Sequence, residues 1–76
     1  MNLFDLKKGE KCLIDKILIK TDMHRRLIDI GLINNTPVEC IEVSPAGDPK
    51  AFLIRGAVIA LRREDCKHIL IKDLSL

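Results

Sequence analysis

Three cysteines and two histidines are the residues of this chain best suited to hold a metal or to act as nucleophile and base. Cys12, Cys40 and Cys66 stand 28 and 26 positions apart, with no CxxC pair among them. Structural zinc sites instead place closely spaced ligand pairs on both sides of a loop. The nearest approach to such a pair is Cys66-x-His68, which on a strand would aim two ligands to one side, with Cys12, His24 and Cys40 available to join them. The plainer reading is three buried thiols and a surface histidine, so no resident metal or cofactor is expected. Weak transition-metal uptake through Cys12, His24, Cys40, Cys66 or His68 stays open at this level. Catalysis has less to draw on. The chain has no Tyr, and its four glycines (Gly9, Gly31, Gly47 and Gly56) are singly spaced rather than gathered into a phosphate-cradling loop. An enzyme is not expected.

The remaining chemistry is recognition. Arg25-Arg26 and Arg62-Arg63 are two basic pairs able to meet carboxylates or anionic head groups, and Asp29 lies one helical turn beyond Arg25. Their ordinary role would be to keep an apolar domain solvated. Leu32 and Ile33 follow directly, and a chain of this size with 22 Ile and Leu cannot hide them all. The expected docking surface is therefore Arg25, Arg26, Asp29, Leu32, Ile33 and Arg62, whereas Leu27 and Ile30 are expected in the core.

The elements that must position these residues follow from periodicity and punctuation. Thr21-Asp22 offers an N-cap, Met23, Leu27 and Ile30 repeat at helical spacing, and Gly31 sits where a left-handed C-cap is favoured; this predicts one short helix. Lys11 to Lys20 reads as a strand whose apolar parity changes from Cys12 and Ile14 to Ile17 and Ile19 across Asp15-Lys16, the mark of a bulge. Pro37 to Val43 is a second strand, entered through Asn34-Asn35, a pair that tolerates positive φ. Lys50 to Arg55, Val58 to Arg62 and His68 to Lys72 make three more, with Gly56-Ala57 as the reversal and Arg63 to Cys66 as a single 3₁₀ turn. Five short strands and one helix predict a mainly β, strongly bent barrel in which closure hides the strand edges.

Composition sets the outer limits. Seventy-six residues allow one domain, 1–76, since a second core would need roughly 50 more. A net charge of +2 and a pI near 8.5 fall short of a dedicated nucleic-acid module. Two Phe with no Trp or Tyr remove the stacking platforms such a module uses. The N-terminus lacks a signal-peptide pattern, and the longest apolar run, Gly56 to Leu61, is six residues against the ~20 needed to span a bilayer. A reducing cytoplasm suits the odd cysteine count.

Taken in order, Leu6-Lys7-Lys8-Gly9-Glu10, the block Arg25 to Leu32, the turn Pro45-Ala46-Gly47-Asp48-Pro49 and the segment Arg55 to Cys66 resemble the ferrous iron transport protein A (FeoA) family of SH3-like domains. The resemblance departs where Asn34-Asn35 replaces the family's usual Pro-Gly and where Cys66 takes the place of a small residue. It implies a small SH3-like five-stranded β-barrel with one short α-helix. It also implies a cytoplasmic accessory of bacterial ferrous iron uptake that docks on the GTPase-containing part of a FeoB-type transporter and reaches the membrane only through that partner. A similar SH3-like module occurs in iron-dependent repressors; a free-standing regulatory domain of that kind, or a nucleic-acid-binding barrel, are the alternatives. Soft thiolates select ferrous iron poorly, so the resemblance brings no iron site with it. Self-association through an uncovered strand is left open.

Overall fold

The computed structural model describes residues 1–74. Five antiparallel strands, β1 (Lys11–Ile17), β2 (Pro37–Val43), β3 (Lys50–Ile54), β4 (Ala57–Leu61) and β5 (Ile69–Lys72), form one sheet in the order β4-β3-β2-β1-β5. Helix α1 (Asp22–Ile30) crosses between β1 and β2, and a four-residue helix α2 (Arg63–Cys66) links β4 to β5. The expected 3₁₀ turn at Arg63 to Cys66 is thus one turn of α-helix, with Asp65 and Cys66 amides both donating to the Arg62 carbonyl. A 3₁₀ turn at Leu3–Asp5, invisible to periodicity because it is three residues long, places Leu3 and then Leu6 in the core. Asn2 builds it: its side chain accepts from the Phe4 amide at 2.9 Å, and Asp5 accepts from the Asn2 amide at 3.0 Å.

The bulge in β1 explains its change of parity. Ile14 pairs with Ile71 and Lys16 with Leu70, so Asp15 is the extra residue and the inward set switches from Cys12 and Ile14 to Ile17 and Ile19. A second register shift between Cys40 and Glu42 makes Ile41 the extra residue of β2, which keeps both Cys40 and Val43 against the core. The core is Leu, Ile and Cys closed around Phe52, with Leu3, Ile14, Leu27, Leu32, Ile54, Leu61 and Ile69 all fully buried.

The turn between β3 and β4 is tighter than expected. Arg55 ends no strand: with Gly56 it forms the two-residue connection between Ile54 and Ala57, at φ of 50° and 82° respectively. Two positive φ values in succession make a type I′ turn, whose twist matches that of the flanking strands.

The sheet curls as a barrel does, but its two edges are not joined. Among the described residues β4 pairs only with β3 and β5 only with β1, apart from an isolated bridge between Asn2 and Leu70. That bridge, with the Ile71 amide donating to the Met1 carbonyl at 3.1 Å, lays the N-terminal segment over the β5 edge. The expectation that closure hides every edge is therefore corrected: a covering segment does so at β5, and β4 keeps an open one.

Candidate functional site

Helix α1 begins at Thr21, whose hydroxyl accepts from the Met23 amide at 3.3 Å, and ends at Gly31 with φ 102°. The Leu32 amide donates to the Leu27 carbonyl and the Gly31 amide to the Ile28 carbonyl, both at 2.9 Å, which is the paired pattern of a Schellman motif. That motif folds the residue after the glycine back onto the helix. Leu32 accordingly packs with Leu27 in the core, both fully buried, and the expectation that Leu32 belongs to an exposed apolar patch is overturned. Ile30 is half-buried against the same core.

The outward face of α1 carries the other candidates. Arg25, Arg26 and Asp29 are all exposed, and Ile28, which sequence reasoning missed, is 43% exposed between them at the i+3 spacing from Arg25. Arg25 and Asp29 share this face but form no ion pair; among the described residues the one carboxylate paired with a cation is Glu42, 3.1 Å from Lys8. That contact, first through its hydrogen bond and then through charge, holds the Glu42 carboxyl below its ordinary value. Among the described residues the charges of Arg25, Arg26 and Asp29 are thus unspent.

Ile33 follows, 51% exposed on a loop that is firmly held. Its amide donates to the Thr36 hydroxyl at 3.0 Å, and that hydroxyl donates to the Gly31 carbonyl at 3.2 Å. Asn34 donates its side-chain amide to the Asp15 carbonyl at 2.7 Å, and the Asn35 amide donates to the Ile14 carbonyl at 2.7 Å. The β1 bulge thereby anchors the loop, and Asn35 takes the positive φ (69°) expected of this pair. Arg55, at the type I′ turn, reaches across to donate its Nε to the Gly31 carbonyl at 3.0 Å. Thr36 and Arg55 are the organising residues that sequence reasoning passed over. A dipeptide ending in Gly between two strands was the available signal for Arg55, while nothing in the spacing marked Thr36.

Arg62 stands apart from this group. It is exposed where β4 gives way to α2, at the end of the β3–β4 hairpin away from the Arg55 turn, and no hydrogen bond or ion pair ties it to α1 among the described residues. Its neighbour Arg63 serves the fold, with its guanidinium 5.1 Å from the Phe4 ring centroid, beside Lys50 at 4.4 Å. Lys50 Nζ also donates to the Phe4 and Leu6 carbonyls at 2.6 and 2.9 Å, locking the N-terminal segment to β3.

The thiols are poor ligands as placed. Cys12, Cys40 and Cys66 are buried and free. Burial pushes the Cys12 thiol up to about 11 and the Cys66 thiol up to about 12, and raises Cys40 as well. At neutral pH they are protonated, and a metal binds the thiolate. Cys66 ends α2 whereas His68 is exposed ahead of β5, so the strand geometry that would aim the two to one side does not arise. Among the described residues no group of three or more His, Cys, Asp or Glu is placed to hold a metal ion. No helix of the structure is long and apolar enough to cross a membrane.

A Porphyromonas gingivalis protein named an Fe(2+) transport protein A/Fe(2+) transporter FeoB fusion is 24% identical over 75 residues, an alignment taking in 99% of this chain and 9% of that protein. The chain therefore spans less than a tenth of that relative's length. The solution structure of a FeoA protein from Chlorobium tepidum superposes with a TM-score of 0.90 at 27% identity, covering 97% of this chain and 70% of that one. Stenotrophomonas maltophilia FeoA, crystallised with zinc and described as a prokaryotic SH3 domain protein, gives a TM-score of 0.79 at 22% identity over 95% of this chain and 89% of its own, which fixes the fold as SH3-like. With the FeoA domain matching residues 1–73, the chain belongs to the FeoA domain family.

Proposed function

We propose that this protein is a small cytoplasmic accessory of ferrous iron uptake that docks on the cytosolic, GTPase-containing part of a FeoB-type transporter and modulates its activity or assembly. One observation carries the reading: the Porphyromonas gingivalis relative joins a region similar to nearly the whole of this chain to a FeoB transporter in one polypeptide. Fusion makes the two parts permanent neighbours, and a docking partner is what a separate chain of this family would supply by diffusion. The protein acts by contact rather than catalysis, and it meets the inner face of the membrane through its partner.

Helix α1 supplies the docking surface of this reading. Arg25, Arg26 and Asp29 offer unpaired charge, while Ile28 and Ile33 offer apolar area at 43% and 51% exposure. Charge of both signs around exposed aliphatic side chains suits a partner face of similar mixture. Calorimetric titration of the chain against the cognate transporter's cytosolic domain, nucleotide-free and with GDP or a GTP analogue, is expected to show binding in at least one state. Arg26→Glu is expected to weaken it with the thermal midpoint unchanged. No binding in any state, and none to the full-length transporter in detergent, would overturn the proposal.

A further inference from the structure

Among the described residues the outer edge of β4 is unpaired, and its chemistry differs from that of the α1 face. In a two-residue hairpin the closing pair, here Ile54 and Ala57, exchanges both backbone hydrogen bonds, as do Phe52 with Ile59 and Lys50 with Leu61. Val58 and Ala60, in the alternate positions, turn their N–H and C=O groups away from β3. Among the described residues no backbone hydrogen bond from elsewhere reaches them. Both side chains are exposed, Val58 at 63%, and Leu53, directly across from Val58 on β3, is 36% exposed.

Natural edge strands are usually blunted by charge, proline or a bulge. Ala57–Leu61 has none of the three: its sequence is AVIAL and its register against β3 is unbroken. Cations bracket it instead, Arg55 at one end and Arg62 and Arg63 at the other; none of the three is in an ion pair among the described residues, although Arg55 Nε bonds the Gly31 carbonyl and Arg63 lies over the Phe4 ring, which leaves Arg62 the freest. That bracket disfavours a second copy of the chain. Antiparallel self-pairing in the register that joins Val58 to Ala60 of the other copy would bring the Arg55 turn of each copy towards the Arg62–Arg63 end of the other, and like charges brought together are destabilising.

We propose that β4 takes a sixth strand from another protein, an extended apolar segment flanked on both sides by carboxylates. The main chain of Val58 and Ala60 provides four hydrogen-bonding groups, Val58 and Leu53 provide an apolar strip for alternate side chains, and the flanking arginines select acidic ends. This surface stands on the geometry of the sheet and does not depend on the α1 reading.

The probe is the synthetic nonapeptide Asp-Asp-Val-Thr-Val-Thr-Val-Asp-Asp, titrated into the ¹⁵N-labelled full chain. Amide shifts are expected at Leu53 and from Ala57 to Arg62, with hydrogen exchange slowed at Val58 and Ala60. Ala60→Pro removes an outward amide where a folded edge tolerates its loss, and is expected to lower peptide affinity roughly tenfold. Val58→Pro repeats the test at the other outward amide should the first variant unfold, and Arg62→Glu is expected to cost about threefold without touching the backbone. A peptide with Lys in place of every Asp should bind more weakly. Absence of shifts at millimolar peptide, shifts centred on α1, equal binding of the Lys-flanked peptide, or dimerisation of the free chain through β4 would each overturn the proposal. Loss of transporter binding by Arg26→Glu but not by Ala60→Pro separates the two surfaces.

Discussion

The sheet ends in two edges, and they are treated in opposite ways. At β5 the chain's own N-terminus covers the strand: Asn2 bridges Leu70, Met1 accepts from the Ile71 amide, and Leu3 is fully buried beneath. At β4 nothing equivalent is present among the described residues, and Val58 is 63% exposed. An edge covered by a core residue is part of the folding energetics. An edge left bare contributes little to stability and keeps its backbone groups for another molecule.

The largest expected effect comes from lifting the cover. Leu3→Ala removes a side chain with no solvent exposure that joins the N-terminal segment to the core, and should cost about 2–5 kcal/mol in chemical denaturation, with faster hydrogen exchange at Leu70 and Ile71. A cost below about 0.5 kcal/mol would show that the two edges are alike after all. Alkaline pH tests the core that both edges rest on. The folded chain holds the Cys12 and Cys66 protons up to about 11 and 12, whereas the unfolded chain releases them from the ordinary 9.0. The folded state therefore binds more protons in that window, and stability should fall as pH rises above 9.0, by up to about 1.4 kcal/mol per pH unit for each thiol, while staying flat from this source below pH ~8. Denaturation midpoints at rising pH read this directly, and Cys66→Ala should flatten the slope.

A smaller effect is expected at the junction between α1 and the β3–β4 turn. A Cβ on Gly31 would meet Arg55 Nε at 3.0 Å and Cδ at 3.1 Å, and the residue sits at φ 102°. Gly31→Ala should cost about 1–2 kcal/mol, chiefly through backbone strain, and should displace Arg55 as well. Smallest of all is Val58→Thr on the bare edge: a change within about 0.5 kcal/mol is expected. A large loss there would mean that β4 is buried by something within the fold and would remove the basis for a sixth strand.

Much of the fold was legible in the sequence because local rules and tertiary packing agreed. Thr21 and Gly31 bound α1 where capping chemistry places them, Asp15 is the bulge that the parity change signalled, and β2 runs Pro37–Val43 as expected. The candidate site was legible in part. Arg25, Arg26 and Asp29 lie on one exposed helix face because helical spacing alone decides that. The expectation for Leu32 failed because the same glycine that ends the helix also folds the next residue inward, a consequence of two hydrogen bonds and not of hydrophobicity. Arg55 and Arg62, close in sequence, were separated by the full length of a hairpin once the turn fell at Arg55–Gly56.

By itself the sequence determined the strand count, the helix and its caps, and the wealth of Ile and Leu on both strand parities, since each depends on neighbours a few residues apart. Its order of motifs also carried the family. Only the tertiary structure decided which edge is covered and which is open, that Lys50 binds the Phe4 and Leu6 carbonyls, and that a buried Thr36 pins the exposed loop. The first two outcomes rest on contacts between segments as many as 70 residues apart, the Ile71 amide on the Met1 carbonyl being the longest. Such contacts are selected by the global packing of one core, for which local periodicity has no signal.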